Sequence, residues 1–600
     1  EQILKLTKKW KDVWDKSTVK TEWEKQGEDN EKYWLGKHHE LPGADETRPI
    51  VDNLIFESLE TFLPQATRRN PEPMVTLDAS ELDEDGNPKD LNHQKYVSKV
   101  KNRLADLADK NKVRLKLKKA ARHWAIFLIG VVKFGWDLDK MIPASRIVRP
   151  KKMILDPEAI IDEDGYHGNR IGEVRKMQAA RVIDIIGGEE DPKNTKIIED
   201  IKKEVEDNLD SDLQFIEWWT PEYMCWTMGD GEDAKVLLKR KNPHWNYDQE
   251  VNPTPDQILS PGVEVDDFGT ATAEPTVIPG INHFVTPQMP YEFLTVFNLG
   301  DQPMDKTSLI GQNLSNQDKI NKRNKQIDDN VDDMNGGIVV SLARSGLTEP
   351  QAARVGKALR KRSIVLIPDG TPREAIDRYP APALPADVFN DLYDKRARLR
   401  DIFGVKGSSA AGLESEDTVR GKIVSRNLDT DRIGGGITEY LEQLADGIYN
   451  WYVQLLYVHD SAFQLVNNVT PPKLVVSVKE GSLLPKDSTS IANQALELAK
   501  MNKISTLDLY RRLEYPNPEE LAVNVWLEEN APHLLYKDDP RINEAVMLKQ
   551  QAEASAAASQ SEADQAKSND EHAKKMEMQQ MEGEQRKEEK LLNQVNTRDQ

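Results

Sequence analysis

Between Thr307 and Met334 the chain carries one glycine, Gly311, and no proline, yet it is built largely of Asn, Gln, Asp and Lys. The stretch reads as a helix with only a thin apolar line: Leu309, Ile320, Ile327, Val331 and Met334. A helix that is polar over most of its circumference cannot bury itself in an ordinary core. The same shortage holds for the whole chain. Of 600 residues, 38% are hydrophobic and 30% charged, against a usual ~45–50% apolar content that also counts Gly. The length predicts roughly three to six domains. Much of the chain must therefore be polar surface, long helix or subunit contact. The 12 tryptophans argue against a chain without fixed structure.

Charge and cysteine usage exclude several classes. The 81 Lys and Arg are outnumbered by 102 Asp and Glu, a formal net charge of −21. A protein whose main task is to grip duplex DNA neutralises phosphates, so that task is disfavoured; contact with DNA that must slide is not. The single cysteine, Cys225, permits no intrachain disulfide and no Cys-based zinc site. It fits a reducing compartment, and in Tyr223-Met224-Cys225-Trp226 it reads as a small buried hydrophobe. The longest apolar stretch, Ala125 to Val132, falls far short of the ~20 residues of a membrane span. Glu1-Gln2-Ile3-Leu4 has no signal-peptide character and no initiator Met, which leaves room for residues upstream.

Periodicity divides the chain further. Ile3, Leu6, Trp10, Val13 and Trp14 predict an amphipathic first helix, followed by a charged, loop-like stretch to about Asp45. A second apolar period covers Pro49 to Leu63, and Met74-Val75-Thr76-Leu77 reads as a strand. Residues 95–135 read as one or two basic helices with an apolar end, and 136–300 as mostly β and irregular, with a hairpin turn at Gly229 to Asp233. Residues 243–292, rich in proline, read as a long loop or insertion. After the polar helix comes a small α/β piece: strand Ile338-Val339-Val340, helix Glu349–Arg362 and strand Ser363–Ile367. A helix from Ala386 to Phe403 puts Val388, Leu392, Leu399 and Phe403 on one face. A small-residue loop leads to a long helix beginning near Thr418, in which Gly434-Gly435-Gly436 predicts a kink. Its second half is periodic at Ile437, Leu441, Leu444, Ile448, Trp451 and Leu455. Leu474 to Val478 reads as a strand, and helices return from about Ile491 to Glu529. Residues 541–600 show a near-3.5 repeat of small residues at Ala552, Ala556, Ser559, Ala563 and Ala566. One such helix is marginal alone, whereas many copies can pack it; the alternative is a polar tail without fixed structure.

Catalytic motifs are missing. The sequence has no phosphate-cradling G-x-x-x-x-G-K-[ST], no H-E-x-x-H and no G-x-S-x-G. The ten His are scattered, so no metal is expected. Glu81, Asp83, Asp85 and Gly86 imitate half a calcium loop, but Asn92 stands where the bidentate Glu belongs, which favours an ordinary acidic turn. Asp328, Asp329, Asp332 and Asp333 read as a solvated or inter-subunit face rather than a nuclease centre. Two basic features remain. One is Arg354, Lys357, Arg360, Lys361 and Arg362 on the helix of the α/β piece; the other is the 95–122 run. Each is either a solvated face or a surface for an acidic protein or nucleic acid.

The order of elements from Asp305 onward resembles tailed-bacteriophage portal proteins, the head-to-tail connectors, of the short-tailed phage type. A polar stem helix, Ser308-Leu309-Ile310-Gly311-Gln312 to Met334, leads to a small α/β clip. A second stem helix (Asp387 to Phe403) leads to the small-residue loop Gly404-Val405-Lys406-Gly407-Ser408-Ser409-Ala410-Ala411-Gly412, and then come a long helix, a returning strand and further helices. Asp52-Asn53-Leu54-Ile55-Phe56 and Thr67-Arg68-Arg69-Asn70-Pro71-Glu72-Pro73 resemble the opening of such proteins. The resemblance implies an α+β, predominantly helical fold: wing 1–305, stem 306–334, clip 335–385, stem 386–403, tunnel loop 404–417, kinked helix 418–459, wing-strand return 460–485, crown 486–540 and helical barrel 541–600.

It also implies a homo-oligomeric ring, commonly of twelve subunits, at one capsid vertex of the virion, assembled in the host cytoplasm. Double-stranded viral DNA is packaged, retained and ejected through its channel. Implied partners are the terminase (the packaging ATPase), then the tail adaptor, with the major capsid protein and scaffolding protein; no membrane, cofactor, metal or catalytic site is implied. Lys406, Gly407, Ser408, Ser409, Ala410, Ala411, Gly412 and Leu413 would line the tunnel, and Arg354, Lys357, Arg360, Lys361 and Arg362 would form the clip docking surface. The alternatives are another structural virion protein, such as an internal scaffold or ejection protein, and a metal-dependent nuclease.

Overall fold

The amphipathic start of the chain is helix α1 (Gln2–Asp15), which buries Thr7 and Trp14 and leaves Leu6 and Val13 outside. The charged stretch after it is not a loop but a second helix, α2 (Thr18–Trp34), capped by the Ser17 hydroxyl, which accepts from the Lys20 N–H. Its buried stripe is Trp23, Gly27, Asn30 and Tyr33. That spacing is helical, but Gly and Asn do not register as apolar, so the pattern was hidden. Trp23 Nε1 donates to Phe127 O at 2.5 Å and Asn30 Nδ2 donates to Ile126 O at 3.0 Å. These carbonyls close a later helix and have no partner within it. A Cβ on Gly27 would lie 3.3 Å from the Phe127 ring, so close approach fixes the small residue.

These coordinates come from a computed structural model that describes residues 2–38, 50–187 save 163, 194–229, 234–251, 276–333, 337–360, 376–379, 384–405, 419–464, 470–483, 488–530 save 502, 514, 516 and 517, and 574–587 save 577, 580 and 584. Just over half of the described residues are helical, in a mixed α+β fold. The chain divides into two units, residues 1–485 and 486–600.

The first unit continues with α3 (Leu54–Ala66), capped by Asn53, and β1 (Pro73–Leu77). The basic run forms α4 (Leu91–Lys110) and α5 (Val113–Phe127). Its apolar end is helical only as far as Phe127. The chain turns at Leu128, where φ is 61°, and runs on as β2 (Gly130–Asp137). A Cβ on Gly130 would sit 2.7 Å from Ala120 O, so this strand can start against α5 only with glycine. Strand β2 pairs antiparallel with β3 (Ile142–Val148).

Next come β4 (Met153–Ile154), β5 (Ile160–Asp162), β6 (Gly165–His167) and β7 (Ile171–Gln178). Two helices interrupt the expected β region, α6 (Ala179–Ile186) and α7 (Thr195–Glu204). Strands β8 (Asp212–Trp219), β9 (Tyr223–Met228) and β10 (Lys235–Lys241) complete a five-stranded sheet of order β10-β9-β8-β7-β4. The hairpin expected at Gly229 joins β9 to β10; its residues 230–233 lie outside the described ones. Cys225 is fully buried in this sheet, and burial pushes its thiol up to about 12. Trp14, Trp218, Trp219, Phe215 and Trp226 form the same apolar cluster. The proline-rich stretch holds a short ladder, β11 (Gln249–Val251) with β12 (Thr276–Ile278), and β13 (Tyr291–Leu294), which pairs with β2.

The second half supplies α8 (Leu309–Asp333), β14 (Gly337–Val340), one helical turn at Leu342–Ser345, α9 (Glu349–Arg360), β15 (Ile376–Tyr379) and α10 (Ala386–Ile402). The predicted strand 363–367 lies outside the described residues. Helix α11 (Val419–His459) is continuous through Gly434–Gly436. Its six periodic residues from Ile437 to Leu455 are each at most 3% exposed. They pack with α3, α4, α5 and β2 in one core. Phe134 stacks on Trp451 with centroids 5.4 Å apart, and Tyr452 meets Phe134 edge-on. Strand β16 (Leu474–Val478) returns to pair antiparallel with β1. The second unit holds α12 (Ser488–Lys500), α13 (Thr506–Arg512) and α14 (Pro518–Asn530). Most of residues 541–600 lie outside the described residues.

Candidate functional site

The polar helix α8 finds a partner of the same kind. It packs on α10, and the antiparallel ladder Gly337↔Tyr379 to Val340↔Ile376 ties their ends, so the chain runs out along one helix and back along the other. At 25 residues α8 is about 37 Å long. Arg323 Nε meets Asp391 at 2.7 Å across the pair, and Lys395 joins the same carboxylate. Lys395 and Arg323 hold the Asp391 carboxyl below the usual carboxylate range.

The base of this pair is fixed by buried amides rather than by apolar packing alone. Leu309, Ile310 and Ile320 are at most 3% exposed, and so are Asn313 and Gln317. Gln317 Nε2 donates to Asp52 O at 2.5 Å, and its Oε1 accepts from the Ile55 N–H at 3.3 Å. Asn321 meets His38 Nδ1 at 2.7 Å, and Tyr33 OH donates to Asp318 at 2.6 Å. From α10, Arg396 donates to Asp52 at 2.5 Å and Arg400 to Glu57 at 2.9 Å. Burial and the Asp318 carboxylate push the Tyr33 hydroxyl up. Sequence reasoning missed this network, because its members are scattered from residue 33 to residue 400 and only the fold collects them.

Among the expected docking residues, Arg354 and Lys357 are exposed on α9, about one turn apart, while Val355 between them is 6% exposed and faces inward. Arg360 closes the same helix; Lys361 and Arg362 lie outside the described residues. All eight tunnel-loop residues, Lys406 to Leu413, also lie outside them. The chain leading to that loop is anchored: Phe403 and Val405 are at most 2% exposed, the Val405 N–H donates to Arg400 O at 2.9 Å, and Gly404 adopts φ 71°.

Two other places carry titratable groups. Against the five-stranded sheet, Lys133 Nζ from β2 lies 3.0 Å from Glu173 on β7 and also contacts Glu217 on β8. Arg146 and Tyr291 complete the shell of Glu173 at 2.6 and 3.0 Å, and Trp219 and Arg175 complete that of Glu217. Both carboxylates are 2% exposed. Burial alone would raise Glu217, but Lys133 and Arg175 hold it down to about 2. With its acceptor positions taken, neither carboxylate can serve as a base. A cavity of about 650 Å³ is lined by Glu292, Asp446, Tyr440, Gln443 and Asn450. Burial pushes Glu292 up to about 7, against the Trp451 N–H that opposes it, and Asp446 up to about 6.

No cluster of three His, Cys, Asp or Glu able to hold a metal occurs among the described residues. Near Asp83 the acidic turn is closed by the chain itself: Asp83 Oδ1 accepts from the N–H groups of Asp85 and Asn87 at 3.1 and 2.7 Å. No described helix is long and apolar enough to cross a membrane. No protein-family model matches the chain, and no curated protein matches it.

Proposed function

We propose that this chain is the subunit of a portal ring at one vertex of a tailed-phage capsid. The ring forms the channel through which double-stranded viral DNA is packaged, held and ejected, and it offers a platform to the terminase and then to the tail adaptor. The observation that carries this reading is the α8–α10 pair, two polar helices joined by a small α/β insert. A wall of this kind suits a water-filled passage, since beyond the buried base neither helix has enough apolar surface to sit inside a core. The insert, with Arg354 and Lys357 exposed, is then the clip, residues 406–413 the tunnel loop, and residues 541–600 the barrel. The protein works by shape and charge, without a catalytic centre.

Negative-stain imaging of the purified chain tests this. Rings with a central hole are expected, of about twelve subunits. Monomers that cleave DNA only when a divalent metal is added would overturn it in favour of a nuclease. Monomers or open filaments without a hole would point to an internal scaffold or ejection protein.

A further inference from the structure

We propose that the pocket between the last turn of α3 and the first half of α5 is a binding site for the phosphodiester backbone of a nucleic acid. The pocket measures about 360 Å³ and is walled by Arg68, Arg114 and Lys118, together with Pro64, Thr67 and Leu115. No carboxylate lines it. It belongs to neither the helix pair, the insert nor the tunnel loop, and it stands whether or not the chain forms rings.

Three features build the site. The cations converge without an acid: neither Arg68 nor Lys118 has an acidic partner among the described residues. The nearby carboxylates are engaged elsewhere, Glu60 with Arg122 at 2.6 Å, Asp106 with Arg103 and Lys110, and Asp109 with Asn70. The frame is rigid. Thr67 Oγ1 donates to Leu63 O at 2.7 Å, the Arg68 N–H donates to Leu483 O at 3.2 Å, and Arg114 donates from Nη1 to Arg68 O at 2.9 Å. The lining also suits a phosphodiester better than a carboxylate. Guanidinium groups fork onto phosphate oxygens. Leu115, 51% exposed, and Pro64 offer apolar contact to the sugars that flank each phosphate. Of the long basic run from Lys95 to Arg122, this is the part that the fold leaves facing out around a cavity.

The test is binding of the full chain to a duplex of about 12 base pairs, followed by anisotropy across a salt series. Three phosphate contacts give a slope of log K on log salt of about −2.7, a loss of about fortyfold between 50 and 200 mM. Replacing Arg68→Ala and Lys118→Ala together is expected to weaken binding at least about tenfold at 50 mM and to flatten the slope by about two. Lys118→Glu alone, on a partly buried residue with no hydrogen bond or ion pair described for its side chain, is expected to act in the same direction at unchanged melting temperature. Lys95→Ala with Lys101→Ala, exposed lysines on α4 outside the pocket, is expected to leave the slope alone. Equal loss in that control, or unchanged binding in the pocket variants, overturns the site. Complete displacement of the duplex by a few mM inorganic phosphate would assign the pocket to a small anion. A Glu-rich peptide binding as tightly as the duplex would assign it to an acidic protein. Either result overturns the nucleic-acid assignment.

Discussion

At the scale of single residues, the sharpest demands are electrostatic. Glu217, itself buried, balances the buried Lys133 and the partly exposed Arg175. Glu217→Ala leaves the buried Lys133 with Glu173 as its one carboxylate partner and Arg175 without its ion pair, and a cost of about 3–5 kcal/mol is expected in chemical denaturation. A loss below about 1 kcal/mol would mean that water reaches the cluster. Glu292 and Asp446 work in the opposite sense. Their folded-state pKa values, about 7 and about 6, lie above the ~4 of an unfolded carboxyl. Their contribution to stability is therefore full below about pH 4 and is lost as pH rises through 6 and then 7. The melting temperature of residues 1–485 should fall between pH 5 and 8, and Glu292→Gln should flatten that decline. An identical profile in the variant would remove Glu292 as its source. Little of this was legible beforehand. Lys133, Glu173 and Glu217 are 40 or more positions apart; strand register sets Glu173 opposite Glu217, and Lys133 comes from a strand of another sheet. Cys225 was legible because an apolar tripeptide context already implied burial.

At the scale of elements, regular periods were easy to read and mixed ones were not. The second half of α11 repeats large apolar residues at helical spacing, and all of them are buried. Helix α2 escaped because its inward face uses glycine and asparagine, which succeed there by close approach and by capping carbonyls rather than by apolar area. Helix α8 was found by its lack of helix breakers, yet its buried face is half amide, with Asn313 and Gln317 beside Ile310 and Ile320. The residues expected to dock partners were legible as charges on a helix, and of their side chains only those of Arg354 and Lys357 are among the described ones. If α9 is a docking surface, changing Arg354, Lys357 and Lys361 to Glu should abolish binding of an ATPase or adaptor in pull-down, with ring assembly intact. Both partners still binding would leave it a solvated face. Gly436 offers a cleaner measurement. It is helical, and a Cβ there would meet nothing within 4 Å. Gly436→Ala should stabilise the protein by about 1 kcal/mol; a loss instead would show that the helix must bend at that point.

At the scale of the whole molecule, the chain's charge sets what it can hold. A ring of twelve would carry −252, from −21 in each copy. DNA in such a channel meets mostly repulsion, and a few basic spots give weak contacts that salt removes. The assembled protein is accordingly expected to release a duplex of about 30 base pairs by ~0.2 M salt in a filter-binding assay. Tight retention there would contradict a low-friction wall. The pairing of β1 with β16, with Pro73 opposite Val478 and Leu77 opposite Leu474, acts on a different timetable. Helix α11 and β16 complete a core begun by Leu59, Phe62 and Trp124, so a growing chain has made some four hundred residues before that core can close. Until then those side chains remain open to solvent and to neighbouring nascent chains. Synthesis of some four-fifths of the polypeptide thus precedes closure of that core, and a product interrupted earlier keeps its sticky surface uncovered. Chaperones and proteases therefore have a simple means of telling a finished subunit from a truncated one.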